Sequence, residues 1–337
     1  HAYDLSLAQP MSDAAPPPAL RLPNLRQRVA HTDRKFSVTE LETLTRCPFQ
    51  HFARYVLRLR APSDDLSVRD VGTLTHAALC RAVRNSAPNQ SVEQWVTQLA
   101  QQLRELLRQR SPDLPNWQIR VLRALAERLA RRFGRREPEY QAQFNMYPHA
   151  CEWAFGDAEV DDEERAYAEP FHNQNAPRPV PYRLADGSEI QLRGVIDRID
   201  LSPDRCVALV IDYKLGGAPT AQDFRDGRAV QGLLYLHAVR TILPRAEIAL
   251  AYDRLKAGKR VRFAPNTLIQ RFRRLPHEDH TEANFLTPMQ WQQAERALRN
   301  LLTHAIGRLR AADIQPQPDP QHCRVCPYSD LCRKALL

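Results

Sequence analysis

The chain has 337 residues, enough for one large domain or two small ones and for a substantial core. Its apolar and charged fractions, 43% and 26%, are those of an ordinary folded protein, and no apolar run approaches the roughly 20 residues that would span a bilayer, so no membrane partner is expected. The net charge of +9 is carried mostly by arginine, whose guanidinium pairs bidentately with phosphate; this favours a phosphate polyanion as partner without saying which.

Residues 1–35 read as a proline-rich arm, a linker or a tag remnant. Pro16-Pro17-Pro18 favours extended structure, and no signal peptide is visible. Residue 1 is His rather than Met, which suggests a tag remnant or a piece of a longer protein. Ser37-Val38-Thr39-Glu40 reads as a capping box opening a helix through Leu41, Leu44 and Cys47, broken by Pro48 and resumed through Phe49, Phe52 and Tyr55. Helices are expected over 71–85, 92–109 and 114–137, and the stretch at about 85–140 reads as a helical insert. Residues 139–157 turn strand-like, and 158–180 read as an acidic, then proline-rich surface loop. Strands are expected around Tyr182-Arg183-Leu184, from Ile190 to Leu192, and at Ile248–Tyr252; helices are expected over 221–241 and 289–311.

The centre of the chain is Gly194-Val195-Ile196-Asp197-Arg198-Ile199-Asp200-Leu201, then Ser202–Arg205, then Cys206-Val207-Ala208-Leu209-Val210-Ile211-Asp212-Tyr213-Lys214. Two β-branched, apolar runs joined by a polar four-residue loop predict a hairpin. If Leu201 and Cys206 close that loop, Val210 lies opposite Asp197. Asp212 then becomes the diagonal neighbour of Asp197, about 7–8 Å away, close enough to share a hard cation. Strand alternation puts Lys214 on the same face. Buried acids are usually paired or metal-bound. The plainer reading is a surface hairpin in which Asp197 pairs with Arg198 or Lys214.

Three other motifs stand around this hairpin. Gly72-Thr73-Leu74-Thr75-His76 opens a helix upstream. Gln231-Gly232-Leu233-Leu234-Tyr235 puts an amide and a phenol one helical turn apart. The C-terminal run Cys323-Arg324-Val325-Cys326-Pro327-Tyr328-Ser329-Asp330-Leu331-Cys332 carries thiols at metal-ligand spacing but one ligand short; Cys47, followed by Pro48, is the natural fourth. Four thiolates suit either zinc or a 4Fe-4S cluster. There are seven cysteines in all, and an odd number at irregular spacing is a poor disulfide framework. Reduced, cytoplasmic thiols fit better, with Cys80, Cys151 and Cys206 as ordinary buried ones. No GxxxxGK[ST] loop is present, so the chain carries no recognisable ATPase motor.

Asp212-Tyr213-Lys214, preceded by Asp197, resembles the PD-(D/E)XK nuclease superfamily. The upstream Gly-x-x-x-His, the Gln-x-x-x-Tyr and the one-plus-three cysteines, in this order, resemble its RecB-like branch and the iron–sulfur-stapled AddB-type nuclease domains. Cys80 departs from the glutamate that members often carry four residues after the histidine. The resemblance covers roughly residues 36–336. It implies an α/β fold with a mixed sheet of the restriction-endonuclease-like kind, a helical insert, and ends clamped by Cys47, Cys323, Cys326 and Cys332. It implies a Mg²⁺- or Mn²⁺-dependent deoxyribonuclease, an exonuclease or DNA-end processor in recombination repair. A nuclease module of a helicase–nuclease, with a helicase partner, and a free-standing exonuclease are equally compatible with it. Asp197, Asp212, His76 and the Tyr213 carbonyl would hold the catalytic ion, Lys214 would orient the attacking water, and Gln231 and Tyr235 would position the DNA backbone. Arg131, Arg132 and Arg135 would add sequence-independent phosphate contacts. Glu152 is a further acid without an assigned role. The rival readings are a catalytically silent DNA-binding module on the same platform, a zinc-stapled interaction domain, and a nuclease acting on RNA.

Overall fold

The computed structural model describes residues 35–59, 68–86, 90–110, 116–156, 179–272, 278–279 and 281–332. The proline-rich arm and nearly all of the acidic loop lie outside the described residues.

Strand β1 (Lys35–Ser37) leads directly into helix α1 (Val38–Arg46), whose N-cap is Ser37: its hydroxyl accepts the Glu40 N–H at 3.1 Å. The Glu40 carboxylate is buried against His51 Nε2 at 2.9 Å. Pro48 breaks the helix as expected. Cys47 is extended there, and α2 (Pro48–His51) restarts and runs into a π-helical turn, Phe52–Val56.

Three helices follow: α3 (Val68–Arg84), α4 (Val92–Arg110) and α5 (Asn116–Phe144). The last runs past its expected end, through Pro138. Tyr140 and Phe144, four residues apart, pack edge-to-face at 5.3 Å, and Phe144 does the same against Phe272 at 5.5 Å. That helical stripe outweighs one missing N–H, so the strand expected from 139 starts only at β2 (Tyr147–Phe155).

Strands β3 (Val180–Arg183), β4 (Glu189–Leu201) and β5 (Val207–Lys214) form the centre of the sheet. The helix expected over 221–241 is two pieces, α6 (Ala221–Arg225) and α7 (Val230–Ile242). Gly227 separates them at φ +72°, in the left-handed region that favours glycine. Then come β6 (Glu247–Arg254), β7 (Lys259–Pro265), β8 (Phe285–Leu286), the long α8 (Pro288–Arg310) and the short α9 (Pro320–Cys323).

Among the described residues, the long β4 organises a mixed, eight-stranded sheet. Its first half pairs with β1 in parallel and with β3 antiparallel; its second half pairs antiparallel with β2 and β5. β6 then runs parallel to β5, β7 antiparallel to β6, and β8 parallel to β7. Along β5 the side chains alternate. Val207, Leu209, Ile211 and Tyr213 pack under α3, α4 and α5, whereas Ala208 and Val210 pack under α7 and α8. Both faces are covered, which is why this strand reads as a continuous apolar run.

The hairpin register differs from the expected one by two residues. Leu201 pairs with Ala208 and Arg198 with Ile211. The loop is longer than expected because Ser202 closes it: its N–H donates to Val207 O at 3.0 Å and its hydroxyl accepts the Val207 N–H at 3.0 Å. A slip of two keeps every side chain on its expected face. Among the described residues, no helix is long and apolar enough to cross a membrane.

Candidate active site

The last rung of the β4–β5 ladder joins Arg198 to Ile211, so Asp197 and Asp212 follow it on facing strands rather than in the diagonal relation expected, near enough for the charge of Asp197 to raise Asp212. Both are buried. Asp197 Oδ2 accepts the Tyr213 N–H at 2.6 Å, so a side chain takes the place of a ladder bond where the strands begin to part. Arg198 points to the opposite face, bound to Asp200 and to Glu137 of α5; it does not neutralise Asp197.

Two further elements bring side chains to this pair. His76 sits in the third turn of α3 rather than at its start, and its Nδ1 is 3.5 Å from Asp197 Oδ1. Glu152 comes from β2, where Cys151 pairs with Arg198 and Trp153 with Ile196, so it faces Asp197 across the β2–β4 ladder. One ligand atom each from His76, Glu152 and Asp197 lies within 4.8 Å of the others. Glu152 carries a backbone φ of +46°, an uncommon conformation for a residue with a Cβ. No local pattern announces Glu152 as a ligand; its partners arrive from α3 and β4.

Lys214 lies 2.8 Å from Asp212 Oδ2 and donates to Gln231 Oε1 at 2.6 Å. Gln231 in turn donates through Nε2 to the Tyr235 hydroxyl at 3.0 Å. These motif residues thus form one hydrogen-bonded line from α7 to the acids. Gly232 lets α7 come this close: a Cβ there would stand 2.2 Å from the Tyr252 hydroxyl and 2.4 Å from Leu250 Cδ2. Glu42, on α1, is not singled out by any sequence motif; it lies near enough to help hold the charge on Lys214.

The electrostatics follow from burial and proximity. Burial, with the charge of Asp197 beside it, pushes Asp212 up to about 6 against the opposing pull of Lys214. Asp197 also loses hydration, but His76, the Tyr213 N–H and Lys214 outweigh that and hold it below the usual carboxylate range. Burial works against a charge on His76, yet Asp197, Glu152 and Asp212 together raise it to about 9. In the metal-free chain two cations, His76 and Lys214, therefore crowd a nest of three carboxylates. Such an oxygen-rich donor set, with one imidazole, fits a hard divalent cation.

The cysteines fall into separate groups. Cys47, Cys323, Cys326 and Cys332 line one small pocket together with Gln50 and His322. Burial raises the Cys326 thiol, and Cys47, Cys323 and Cys332 add to the effect, so the four sulfurs are electrostatic neighbours. The Gln317 N–H lies 3.5 Å from Cys47 Sγ and the Asp319 N–H 3.4 Å from Cys323 Sγ. Cys80 and Cys151 are buried and hydrogen-bonded to one another; Cys206, expected inside, is exposed in the β4–β5 loop.

Comparison with known proteins agrees with this geometry. The profile of the PD-(D/E)XK nuclease superfamily matches residues 35–333. The chain is 32% identical over 219 residues to an ATP-dependent helicase/deoxyribonuclease subunit from Desulforudis audaxviator, covering 60% of this chain and 17% of that protein. It is 31% identical over 221 residues to the protein of the same name from Symbiobacterium thermophilum, covering 60% and 17%. For that of Exiguobacterium sibiricum the identity is 28% over 238 residues, covering 66% and 19%. The chain thus spans less than a fifth of the length of these relatives.

Proposed function

The chain belongs to the PD-(D/E)XK nuclease superfamily, and from that premise we propose that it is a Mg²⁺- or Mn²⁺-dependent deoxyribonuclease that trims DNA ends, the nuclease module of a helicase–nuclease. The observation that carries this reading is the opposition of Asp197 and Asp212 with Lys214 on Asp212. The helicase partner rests on the names of the relatives, which are those of far longer proteins, and the role in recombination repair on the resemblance of the motifs. The nuclease domain would comprise residues 36–337, with the proline-rich arm as linker.

Asp197, Asp212, Glu152 and His76 would hold the catalytic ion, joined by the Tyr213 carbonyl. When bound, a divalent cation at such a site polarises the scissile phosphate and lowers the pKa of a bound water. The chain's own groups do the rest. Lys214, held between Asp212 and Gln231, stands where it can orient the attacking water and offset charge gathering on the phosphate. Gln231 fixes the direction of the Lys214 ammonium and Tyr235 fixes Gln231; Tyr235 is buried, so it acts through Gln231 rather than on the DNA backbone expected for it. His76, protonated beside Asp197 and Glu152, would offer its imidazole nitrogen to the ion only in its neutral form.

Cys47, Cys323, Cys326 and Cys332 would hold a 4Fe-4S cluster that joins the two ends of the domain. N–H donors near the sulfurs of Cys47 and Cys323 are a usual feature of such sites, and a four-thiolate zinc site is the alternative.

The test is cleavage of linear and circular DNA, single- and double-stranded, with Mg²⁺ or Mn²⁺, beside Asp212→Ala. Metal-dependent loss of linear DNA that the variant abolishes supports the reading; no cleavage by wild type with its iron intact favours a silent DNA-binding module.

A further inference from the structure

The outer face of α5 takes no part in the site described above. At helical spacing it presents Trp117, Val121, Ala124, Arg128, Arg131 and Arg135, all exposed. Trp117 is 58% exposed and Val121 59%, unusual for residues that gain from burial. Among the described residues, Arg128, Arg131 and Arg135 make no ion pair. With Glu127 and the half-exposed Arg132 they line an open hollow of about 370 Å³. Over residues 116–144 there are seven arginines and three glutamates, so the helix is strongly basic.

Arg132 packs along the β6–β7 turn, its Cδ 3.3 Å from where a Cβ on Gly258 would stand. That turn follows Arg254, which pairs in register with Lys214 at the end of β5. On the inner side of the same helix, Phe133 meets the Tyr213 ring at 6.3 Å, and that ring meets His76 at 5.7 Å. α5 covers the face of the sheet opposite to Asp212, so a chain lying on the stripe passes to the acids around the strand ends, where Arg132 meets the β6–β7 turn. From Arg135 to Trp117 the stripe extends over about 27 Å of helix.

We propose that the α5 stripe is a track for single-stranded DNA, with Arg128, Arg131 and Arg135 along the phosphates and Trp117 stacked on a base. The inference rests on the nuclease reading and names the form of DNA the site receives. An unpaired row of arginines complements a phosphate backbone of any sequence. An exposed indole beside an aliphatic shelf supplies what a duplex does not need, because bases within a duplex are already stacked, whereas an unpaired base gains from an aromatic platform.

The experiment uses the full 337-residue chain and a fluorescent thymidine oligonucleotide, without divalent metal, followed by fluorescence anisotropy across a salt series. Trp117→Ala should weaken binding about tenfold, with duplex binding little changed. The triple variant R128Q/R131Q/R135Q should flatten the dependence of log affinity on log salt by about 2, the slope expected for three lost single-strand phosphate contacts. Circular dichroism controls for folding, and Arg128→Lys should restore most of the slope lost in Arg128→Gln. If folded Trp117→Ala and the triple variant bind the oligonucleotide as wild type does, the track is refuted, and the stripe belongs to a protein surface instead. DNA cleavage by wild type, measured in parallel, separates the two readings. Cleavage with unaltered variants overturns only the track; no cleavage of any DNA, with variant-sensitive oligonucleotide binding, overturns only the nuclease.

Discussion

Glu152 faces Asp197 across the β2–β4 ladder, and it does so from a backbone held at φ +46°. A residue with a Cβ in that region costs on the order of 1–2 kcal/mol, so the surrounding strands must impose it. The strain coincides with the point where a third carboxylate reaches the acid site. Glu152→Gln should lower Mn²⁺ affinity at least tenfold, read by calorimetry. Glu152→Gly should lower it as much while leaving the metal-free chain as stable as wild type or more so, since both strain and repulsion are removed. Unchanged Mn²⁺ affinity in both variants would remove Glu152 from the site.

The pH response of the metal-free chain follows from two raised groups. Asp212, raised to about 6, contributes stability that is present at low pH and lost as pH rises through 6. His76, raised to about 9, contributes stability present below its ordinary 6.5 and lost as pH rises through 9. Protons and a cation compete for the same nest, so the thermal shift produced by Mn²⁺ should grow from pH 5 to pH 8. Affinity should fall by about tenfold per pH unit between 9 and 6, where binding releases about one proton, from His76, and by up to about a hundredfold per unit below 6, where Asp212 is protonated as well. A Mn²⁺-induced shift that is flat over that range would contradict the assignment.

Lys214 separates chemistry from binding. Its ammonium sits on Asp212 and would be a competitor for the incoming cation as well as a helper in the reaction. Lys214→Met should reduce kcat by about 10²–10⁴ while Mn²⁺ affinity stays the same or rises. Parallel losses of both would mean that Lys214 only supports the local structure.

The cysteine cluster gives a prediction independent of catalysis. Protein isolated without oxygen should contain about four iron and four acid-labile sulfide per chain, with visible absorbance. Cys326→Ser should lose both and unfold at lower temperature. One zinc and no sulfide would replace the cluster with a four-thiolate zinc site.

The two acids and the lysine are legible in the sequence because β5 is covered on both faces, leaving Asp212 and Lys214 conspicuous at the end of a run from Val207 to Tyr213. The register is not legible, since it depends on Ser202 closing a longer loop, but a slip of two preserves faces and so keeps the acids together. Strand β7 escapes sequence reading because it looks polar. Arg260 and Arg262 are buried there, Arg260 on Asp253 and over the Tyr140 ring, Arg262 on Glu278 and between Phe144 and Phe272. A buried arginine is recognisable only once its partners, distant in the chain, have arrived. The same holds for Glu152, whose role appears when α3 and β4 meet β2.

The most direct measurement is the rate at which linear single-stranded DNA is degraded as Mn²⁺ is titrated, for wild type and for Asp212→Asn, each checked for intact fold and iron content. If Asp197 and Asp212 hold the catalytic ion, wild type degrades the DNA in a saturable, metal-dependent way, the variant loses at least a thousandfold, and covalently closed circles are protected. Degradation that persists in a folded Asp212→Asn protein, or proceeds in wild type with all divalent metal chelated, would contradict that assignment.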